Sequence, residues 1–488
     1  MAVFLLRRNS YNIQVIEKLT SAQILRRILA GLLIGVVAGY FIFLSWLAVA
    51  VISLAAAILF FIIKGNYCRQ ILIIIFLCLG LVRAASDRPQ APTNVPYDEN
   101  LKFIGWVSEA PLLEETRARY IVTVEDKNWQ RVLVSARRQP AYNYGTRLEI
   151  ACKLQATDFA YWNQRDIFSE CSYPQIQTLD GVAGLWVRRT LLDFRNKLGE
   201  QLIPYLPEPH LSLLAGIIWG GQADLPFELR EAFRRTGTTH ILAVSGFNVT
   251  TLTAILFTIL VSLGLRRPQA SGVLMLLIAA FVIFTGAEAS VIRAGIMGGL
   301  VVAARLVGRA VKPWQLLLLA ASGMLIIWPR LLVDLGWQLS FLAMMGLVYL
   351  SPLISARVKW LPKALGLRQV VAETLAATAA TLPLILLRID NLSVVSPLAN
   401  LLIVPAAPWI MLGGLLLLAS SILGPLALVA AGPIWLGLEY IQMVALALGN
   451  LQWSYIESSI WVWVLVSVIY VLLGWRLVVR PAAKVKTV

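Results

Sequence analysis

From about residue 240 to residue 478 the chain is a succession of apolar runs separated by short basic or proline-containing joins. Crossing roughly 30 Å of hydrocarbon takes about 20 apolar residues per helix. Hydrocarbon offers no water to satisfy backbone amides and carbonyls, so runs of this kind can only be helical. The composition agrees: 59% of the 488 residues are hydrophobic and 14% are charged, against about 25% charged in a soluble domain. The fold class expected is therefore a mainly α-helical polytopic membrane protein of about 11–13 spans. The spans are expected at 28–45, 46–63 and 70–85, a short one at 211–221, then 240–265, 270–286, 290–307, 314–329, 333–355, 370–388, 397–421, 425–448 and 459–478.

Charge supplies an orientation. The net charge is +16, yet 13 of the 26 acids lie between Asp87 and Asp180, where they face 11 bases. That segment has the balance of a water-exposed domain. Elsewhere the excess of Lys and Arg is what cytoplasmic loops carry to orient a membrane protein. With 240–265 running inward, the joins bearing Arg266, Arg309, Lys312, Arg357, Lys359, Lys363 and Arg368 fall in the cytoplasm, as does the tail with Arg480, Lys484 and Lys486. Glu288, Asp390 and Glu457 fall outside. The organisation expected is a cytoplasmic or interfacial arm (1–27), N-terminal transmembrane helices (28–86), an extracytoplasmic domain (87–185), an amphipathic interfacial helix (186–210), a transmembrane block (211–478) and a basic cytoplasmic tail (479–488). Both termini are placed in the cytoplasm, in an inner membrane. The arm has no apolar core followed by a small-residue cleavage site, so no cleaved signal is expected.

Inside 87–185 the period changes. "FIGWV", "RYIVTVED", "WQRVLVSA", "TRLEIACKL" and "CSYPQIQTL" are short and rich in β-branched and aromatic residues. Leu148, Ile150, Cys152 and Leu154 alternate with Glu149, Ala151 and Lys153, the signature of a half-buried strand. Five such strands suit an OB-like barrel, inserted between the helical segments. Cys152 and Cys171 both belong to it. In an oxidising exterior they form a disulfide candidate; two buried free thiols satisfy the sequence equally well.

Polar side chains within apolar runs are costly unless paired, which makes each a functional candidate. "THILAVSGFNVTTL" contributes His240, Ser245 and Asn248; "GAEASVIRAGIM" contributes Ser290 and Arg293 beside Glu288; "VDLGWQLSFLAMMG" contributes Asp334, Gln338 and Ser340. "SPLANLLIVPAAP" brackets Asn400 with Pro397, Pro405 and Pro408. Prolines at that density break helices, and broken backbone at membrane depth is tolerated only within protein or along a wet cavity. Each cluster taken singly is also what helix–helix glue or a loop end looks like. Taken together, near the outer ends of their spans, the four suggest a polar pathway.

Other chemistry is missing from the sequence. No G-x-x-x-x-G-K-[ST] loop cradles a nucleotide, and no Cys/His cluster has zinc spacing; neither metal nor other cofactor is expected. His240 and Ser245 are five residues apart, on different faces of a helix, and no acid orients the histidine, so hydrolytic catalysis is not expected.

In order and spacing, "LPFELREAFRRTGTTHILAVSGFNV", "SVIRAGIM", "DLGWQLSFLAMMGL" and "ATLPL…PLANLLIVP" resemble the competence block of ComEC-type proteins, and "GWVSEAP", "YGTRLEIACKL" and "FAYWNQRDIF" look like that family's N-terminal OB-like domain. The likeness runs from about residue 28 to 475. It implies a channel importing single-stranded DNA in natural transformation, with membrane lipid around it and, as partners, an external DNA receptor, a separate nuclease and a cytoplasmic DNA-translocating motor. Two departures stand out. Asn248 occupies a place where many members have histidine. With His210 and His240 as its only histidines, the chain cannot assemble the metal centre of the metallo-β-lactamase-like domain that longer members carry at the C-terminus. On this reading Arg293 and the donors His240, Ser245, Asn248, Ser290, Gln338, Ser340 and Asn400, with Asp334 nearby, meet phosphates without reading sequence. A transporter or flippase of a small or lipidic solute, or a non-conducting subunit, would use the same scaffold.

Overall fold

A computed structural model describes residues 21–41, 68–87, 95, 97–113, 117–125, 131–157, 166–220, 225–242, 246–287, 289–308, 312–362, 366–388, 391–424 and 426–457. The spans expected at 46–63 and 459–478, most of the arm, the tail, Ser245 and Glu288 lie outside these residues. Contacts divide the chain into two units, 1–88 with 318–332 and 89–317 with 333–488.

In the first unit, helices α1 (Ser21–Phe41) and α2 (Cys68–Ser86) pack through a stripe of glycines one turn apart. A Cβ on Gly31 would stand 3.0 Å from the Ile73 carbonyl oxygen, one on Gly39 2.7 Å from that of Leu81, and one on Gly35 would collide with that of Leu77. Without side chains the backbones approach closely, which is how membrane helices gain packing where lipid removes any hydrophobic drive. Arg83 donates to the carbonyls of Ile326 and Ile327, each at 2.7 Å, and so closes the end of the helix that finishes at Ile327.

In the second unit, strands β1 (Asn100–Val107), β2 (Leu112–Leu113), β3 (Arg117–Val124), β4 (Arg131–Arg137), β5 (Thr146–Ala156), β6 (Ser169–Ser172) and β7 (Gln175–Val182) form one sheet. β1 pairs antiparallel with both β3 and β5, β4 runs antiparallel to β3 and parallel to β6, and β6 returns antiparallel to β5. The ring β1-β3-β4-β6-β5 therefore closes on itself as a five-stranded barrel of the OB type, and β7 extends it from β5. Gly105 pairs on both sides, with Val124 and Leu148, as Trp106 does with Thr123 and Arg147; a Cβ on Gly105 would lie 2.6 Å from Val122 Cγ1. Phe103, Tyr120, Val122, Val132, Val134, Leu148, Ile150 and Leu154 fill the interior, as the alternation in β5 predicts. The stretch "CSYPQIQTL" is two strands rather than one, because Tyr173 turns to φ 49° ahead of Pro174. Cys152 and Cys171 have Cα atoms 6.1 Å apart and are joined as a disulfide.

The helices follow: α3 (Trp186–Leu202), α4 (His210–Trp219), α5 (Phe227–Arg235), α6 (Gly246–Ser262), α7 (Arg267–Phe284), α8 (Ala289–Leu306), α9 (Pro313–Ile327), α10 (Leu335–Tyr349), α11 (Ser351–Arg357), α12 (Leu367–Arg388), α13 (Ser396–Ile403), α14 (Ala407–Ser420) and α15 (Leu426–Gly449). α3 is amphipathic, with Trp186, Val187 and Phe194 exposed and Leu192 and Leu202 buried, which suits a helix lying along a lipid interface. Among the described residues four helices are long and apolar enough to cross a membrane, or up to six when each bent pair is one span. The expected spans at 333–355 and 397–421 are the bent pairs: α10 meets α11 at 47°, with Pro352 in its first turn, and α13 meets α14 at 40° beside Pro405. Several other runs form shorter helices, α4 and α9 among them.

The disulfide can be checked directly. Maleimide should leave Cys152 and Cys171 unmodified in denatured, unreduced protein and label both after reduction; labelling without reductant would mean two thiols. Replacing both by serine should lower the barrel's stability by about 3 kcal/mol.

Candidate functional site

The segment 225–248 organises the helical block. α5 buries Leu229, Ala232 and Phe233, and a Cβ on Gly449 at the end of α15 would stand 2.9 Å from Ala232 Cα. On the other face Glu231 accepts from Arg234 at 2.6 and 2.7 Å and from Arg235 at 2.9 Å. These guanidiniums, Arg234 first, hold its carboxyl down to about 2. Arg235 also sits 5.2 Å over the ring of Tyr455.

The helix stops in a glycine-capped turn. Gly237 takes φ 67°, its amide donates to the Arg234 carbonyl, and the Thr238 amide reaches back to that of Phe233 at 3.0 Å, the paired bonds of a Schellman cap. Thr236 and Thr238, both fully buried, join hydroxyls at 2.7 Å, and Thr236 also donates to the Ala232 carbonyl. The chain then makes a 3₁₀ turn, Thr239–Ile241. His240 therefore stands outside the helix in which the sequence expected it; its ring is exposed and its Nδ1 lies 3.2 Å from the Gly237 carbonyl oxygen.

Two groupings of the expected residues result. Around Gly237, a Cβ would come 2.9 Å from Ser396 Oγ, and Ser396 Oγ accepts from Asn400 Nδ2 at 3.0 Å. His240, Ser396 and Asn400 are thus tied to one turn. The acceptor of the same amide, Asn400 Oδ1, is buried without a partner among the described residues.

The second grouping surrounds the start of α6. Asn248 is buried and donates to the Ile217 carbonyl of α4 at 2.7 Å. A Cβ on Gly246 would be 3.8 Å from Arg293 Nη2 and 3.7 Å from Ala294 Cβ, so the amino end of α6 abuts the guanidinium. Arg293 is only 6% exposed. Its Nη1 donates to the backbone carbonyl of Ser340 at 3.2 Å, its Cζ lies 5.7 Å over the Phe341 ring, and its Nε is buried without a partner. Among the described residues it has no carboxylate within ion-pair distance. A cation and a helix amino terminus share the same sign of potential; brought together without an acid they form a place where an anion is favoured.

The remaining expected residues serve differently. The Asp334 carboxylate caps its own helix, accepting from the Trp337 amide at 2.8 Å, and nothing ties it to Arg293. Ser340 enters the second grouping through its backbone carbonyl. Gln338 and Ser290 are half-buried and each has an interaction within the chain. Among the described residues no cluster of three His, Cys, Asp or Glu could hold a metal. Sequence reading missed Phe341, Ser396, Thr236 and Thr238. The threonines were legible as T-G-T directly after a basic helix end; the others owe their places to distant neighbours.

The comparisons with known proteins bear on the same region. A family model described as Competence protein matches residues 217–482. ComE operon protein 3 of Bacillus subtilis (strain 168) is 32% identical over 241 residues, which is 49% of this chain and 29% of that protein. The match thus spans under a third of the relative's length. No solved structure matches.

Two outcomes check the geometry. Asn248→Ala should destabilise the folded protein by about 1–3 kcal/mol, because the buried Ile217 carbonyl loses its donor; thermal melts in detergent read this. The Glu231 pairing stabilises fully above pH 4.5, the ordinary value of its carboxyl, and is lost as pH falls towards about 2. Acid-unfolding curves of the parent and Glu231→Gln should therefore converge across that window and stay parallel above it.

Proposed function

Because the chain belongs to the competence protein family, we propose that it is a conduit in the cytoplasmic membrane through which single-stranded DNA enters the cell during transformation. The observation that carries this reading is Arg293, a buried guanidinium with no carboxylate among the described residues, set beside the amino end of α6. A phosphate passing this point supplies the missing negative charge, accepts from the free Nε and takes the helix-end amides as further donors. Such contacts go to backbone phosphates and carry no sequence information, as a conduit for DNA of any sequence requires.

The closed barrel fits a place ahead of the membrane block. Its β3 and β4 put Arg117, Arg119, Arg131 and Arg137 on the outer face of the two strands that OB folds use for oligonucleotides. On this reading the barrel is outside, where the Cys152–Cys171 bridge is stable, and both termini are in the cytoplasm. A DNA receptor outside, a nuclease and a cytoplasmic motor complete the machinery, since the sequence holds no nucleotide-binding loop of its own.

The test is uptake of labelled DNA by a strain whose own copy carries Arg293→Ala. Uptake should fall about tenfold or more, the factor that 1.4 kcal/mol represents, at unchanged protein level. Arg293→Lys should recover part of it, since the charge remains while the planar fork is lost. Normal uptake in Arg293→Ala at normal expression would reject the reading.

A further inference from the structure

A second ionisable site, its histidine buried and its carboxylate 32% exposed, lies away from Arg293, at the other end of α4. His210, the first residue of α4, is 7% exposed and its Nε2 is 2.8 Å from Glu439 Oε2 on α15. Its ring stacks on Trp435, one turn earlier on α15, with centroids 5.1 Å apart. Glu439 is the sole charged residue of α15 and sits about 15–20 Å from either end of that helix. α15 is one of the helices long and apolar enough to span a membrane, so the pair lies near the middle of a helix of spanning length. Two further polar atoms there are buried without partners: His210 Nδ1, and Nε2 of Gln442, which follows Glu439 by three residues and so shares its helix face.

Counting protons shows why no single state of this pair is comfortable. With one proton between them, on imidazolium with carboxylate or on the carboxylic acid bonded to Nε2, the ring carries Nδ1–H, which finds no acceptor among the described residues. Without that proton, Nε2–H donates to the carboxylate and Nδ1 is a bare lone pair, so every donor of the ring is satisfied. The pair then bears one negative charge in the hydrocarbon, which is itself costly. Each form thus carries a penalty that the other relieves. Other groups do not offset it: α4 holds no other titratable side chain and α14, packed against it, holds none. Glu208 is engaged by the Ser212 amide, Tyr205 by the carbonyls of Ser421 and Gly424, and Tyr440 by that of Leu402. The charged side chains of α3 are on a helix that meets α4 at Trp219, where a Cβ on Gly199 would be 3.9 Å away. The acid and bases of α5 lie against the Gly449 end of α15.

We propose that His210 and Glu439 form a proton-binding site within the membrane block, taking up one proton from water and returning it to water, and that its occupancy sets how firmly α4 is held to α15. The reaction is balanced as imidazole and carboxylate plus one proton giving the neutral one-proton pair; no bond other than N–H or O–H changes. α4 is well placed to pass on a change at its start. Its middle is clasped by α14, where a Cβ on Gly414 would lie 2.6 Å from Leu214 Cδ1 and 2.7 Å from Ile218 Cδ1. Its Ile217 carbonyl, about 10 Å further along, holds Asn248 at the start of α6. The site is defined without DNA and stands apart from the conduit reading.

Infrared titration of the full chain in lipid nanodiscs tests it, over about pH 5–8, where an unperturbed histidine changes charge. The parent should show a titrating band, of the carboxylic acid or of the imidazolium, that grows as pH falls, is missing in the double variant His210→Gln/Glu439→Gln, and has its midpoint displaced by about one pH unit or more in either single variant. Hydrogen exchange of the α4 amides, corrected for its intrinsic pH dependence, should follow the same midpoint. The double variant His210→Gln/Glu439→Gln keeps an amide hydrogen bond without a titrating group; it should fold and exchange without that pH dependence. A parent that titrates as the double variant does, or a double variant exchanging as the parent does, would overturn the proposal. None of these readings involves DNA, so failure of the conduit reading leaves them intact, and a flat titration removes the proton site without touching DNA uptake.

Discussion

A backbone interrupted at bilayer depth strands amides and carbonyls that water cannot reach. Much of the helical block is arranged around that constraint. Between α5 and α6 the answer is side-chain and turn chemistry: the glycine cap at Gly237, the hydroxyl pair Thr236–Thr238 and the Asn248 amide on the Ile217 carbonyl. Between α10 and α11 the turn is continuous, with the Leu350 amide reaching the Gly346 carbonyl and the Ile354 amide that of Leu350. Between α13 and α14 the Val404 and Ala406 amides reach back to Asn400 and Ile403. The polar residues of these joins therefore have a structural duty in the fold itself.

That double duty explains why the sequence was informative about some features and silent about others. The barrel was legible because alternation in β5 is local, and closure follows once five strands must share one interior. Within the barrel the misjudged stretch, "CSYPQIQTL", turns on Tyr173 adopting a left-handed conformation that no periodicity announces. Among the helices, the apolar runs and their prolines were visible, and the breaks fall where Pro352 and Pro405 stand. The helix start at Gly246 was not visible, since an apolar run continues through "HILAV" while the turn at Gly237 sets the chain on a different course.

Partners across the fold are a different kind of information. Asn248 meets a residue 31 positions away, Arg293 one 47 away and His210 one 229 away. Hydropathy reports which face of a helix is polar; it does not report what faces it. Glu439 shows the limit well. In sequence it is one acid in a long apolar run, and His210 is the end of a polar linker; only packing α4 on α15 makes them one site. Asp334 shows the reverse, a residue that looks functional by position and turns out to spend its carboxylate on the Trp337 amide.

The two charged sites handle their electrostatics in opposite ways, and the difference separates what each can do. Arg293 is a permanent cation, since a guanidinium does not lose its proton in a protein, and among the described residues it donates to a neutral carbonyl. Among the described residues no carboxylate compensates it, and it is on this that the proposed role as a station for an anion rests. His210 and Glu439 compensate each other, so an incoming ion gains little there, whereas a proton changes their joint charge by one. A fixed cation selects what is bound, and a titratable pair responds to conditions. Because α4 touches the titratable pair at His210 and the amino end of α6 through Ile217, a ten-residue helix connects a responsive element to the neighbourhood of a selective one. That connection is built from a 2.8 Å contact at one end and a 2.7 Å bond at the other, with Gly414 allowing α14 to press against the turn between. A larger side chain at residue 414 would push α4 away from both, and would uncouple the two sites without removing a polar atom from either.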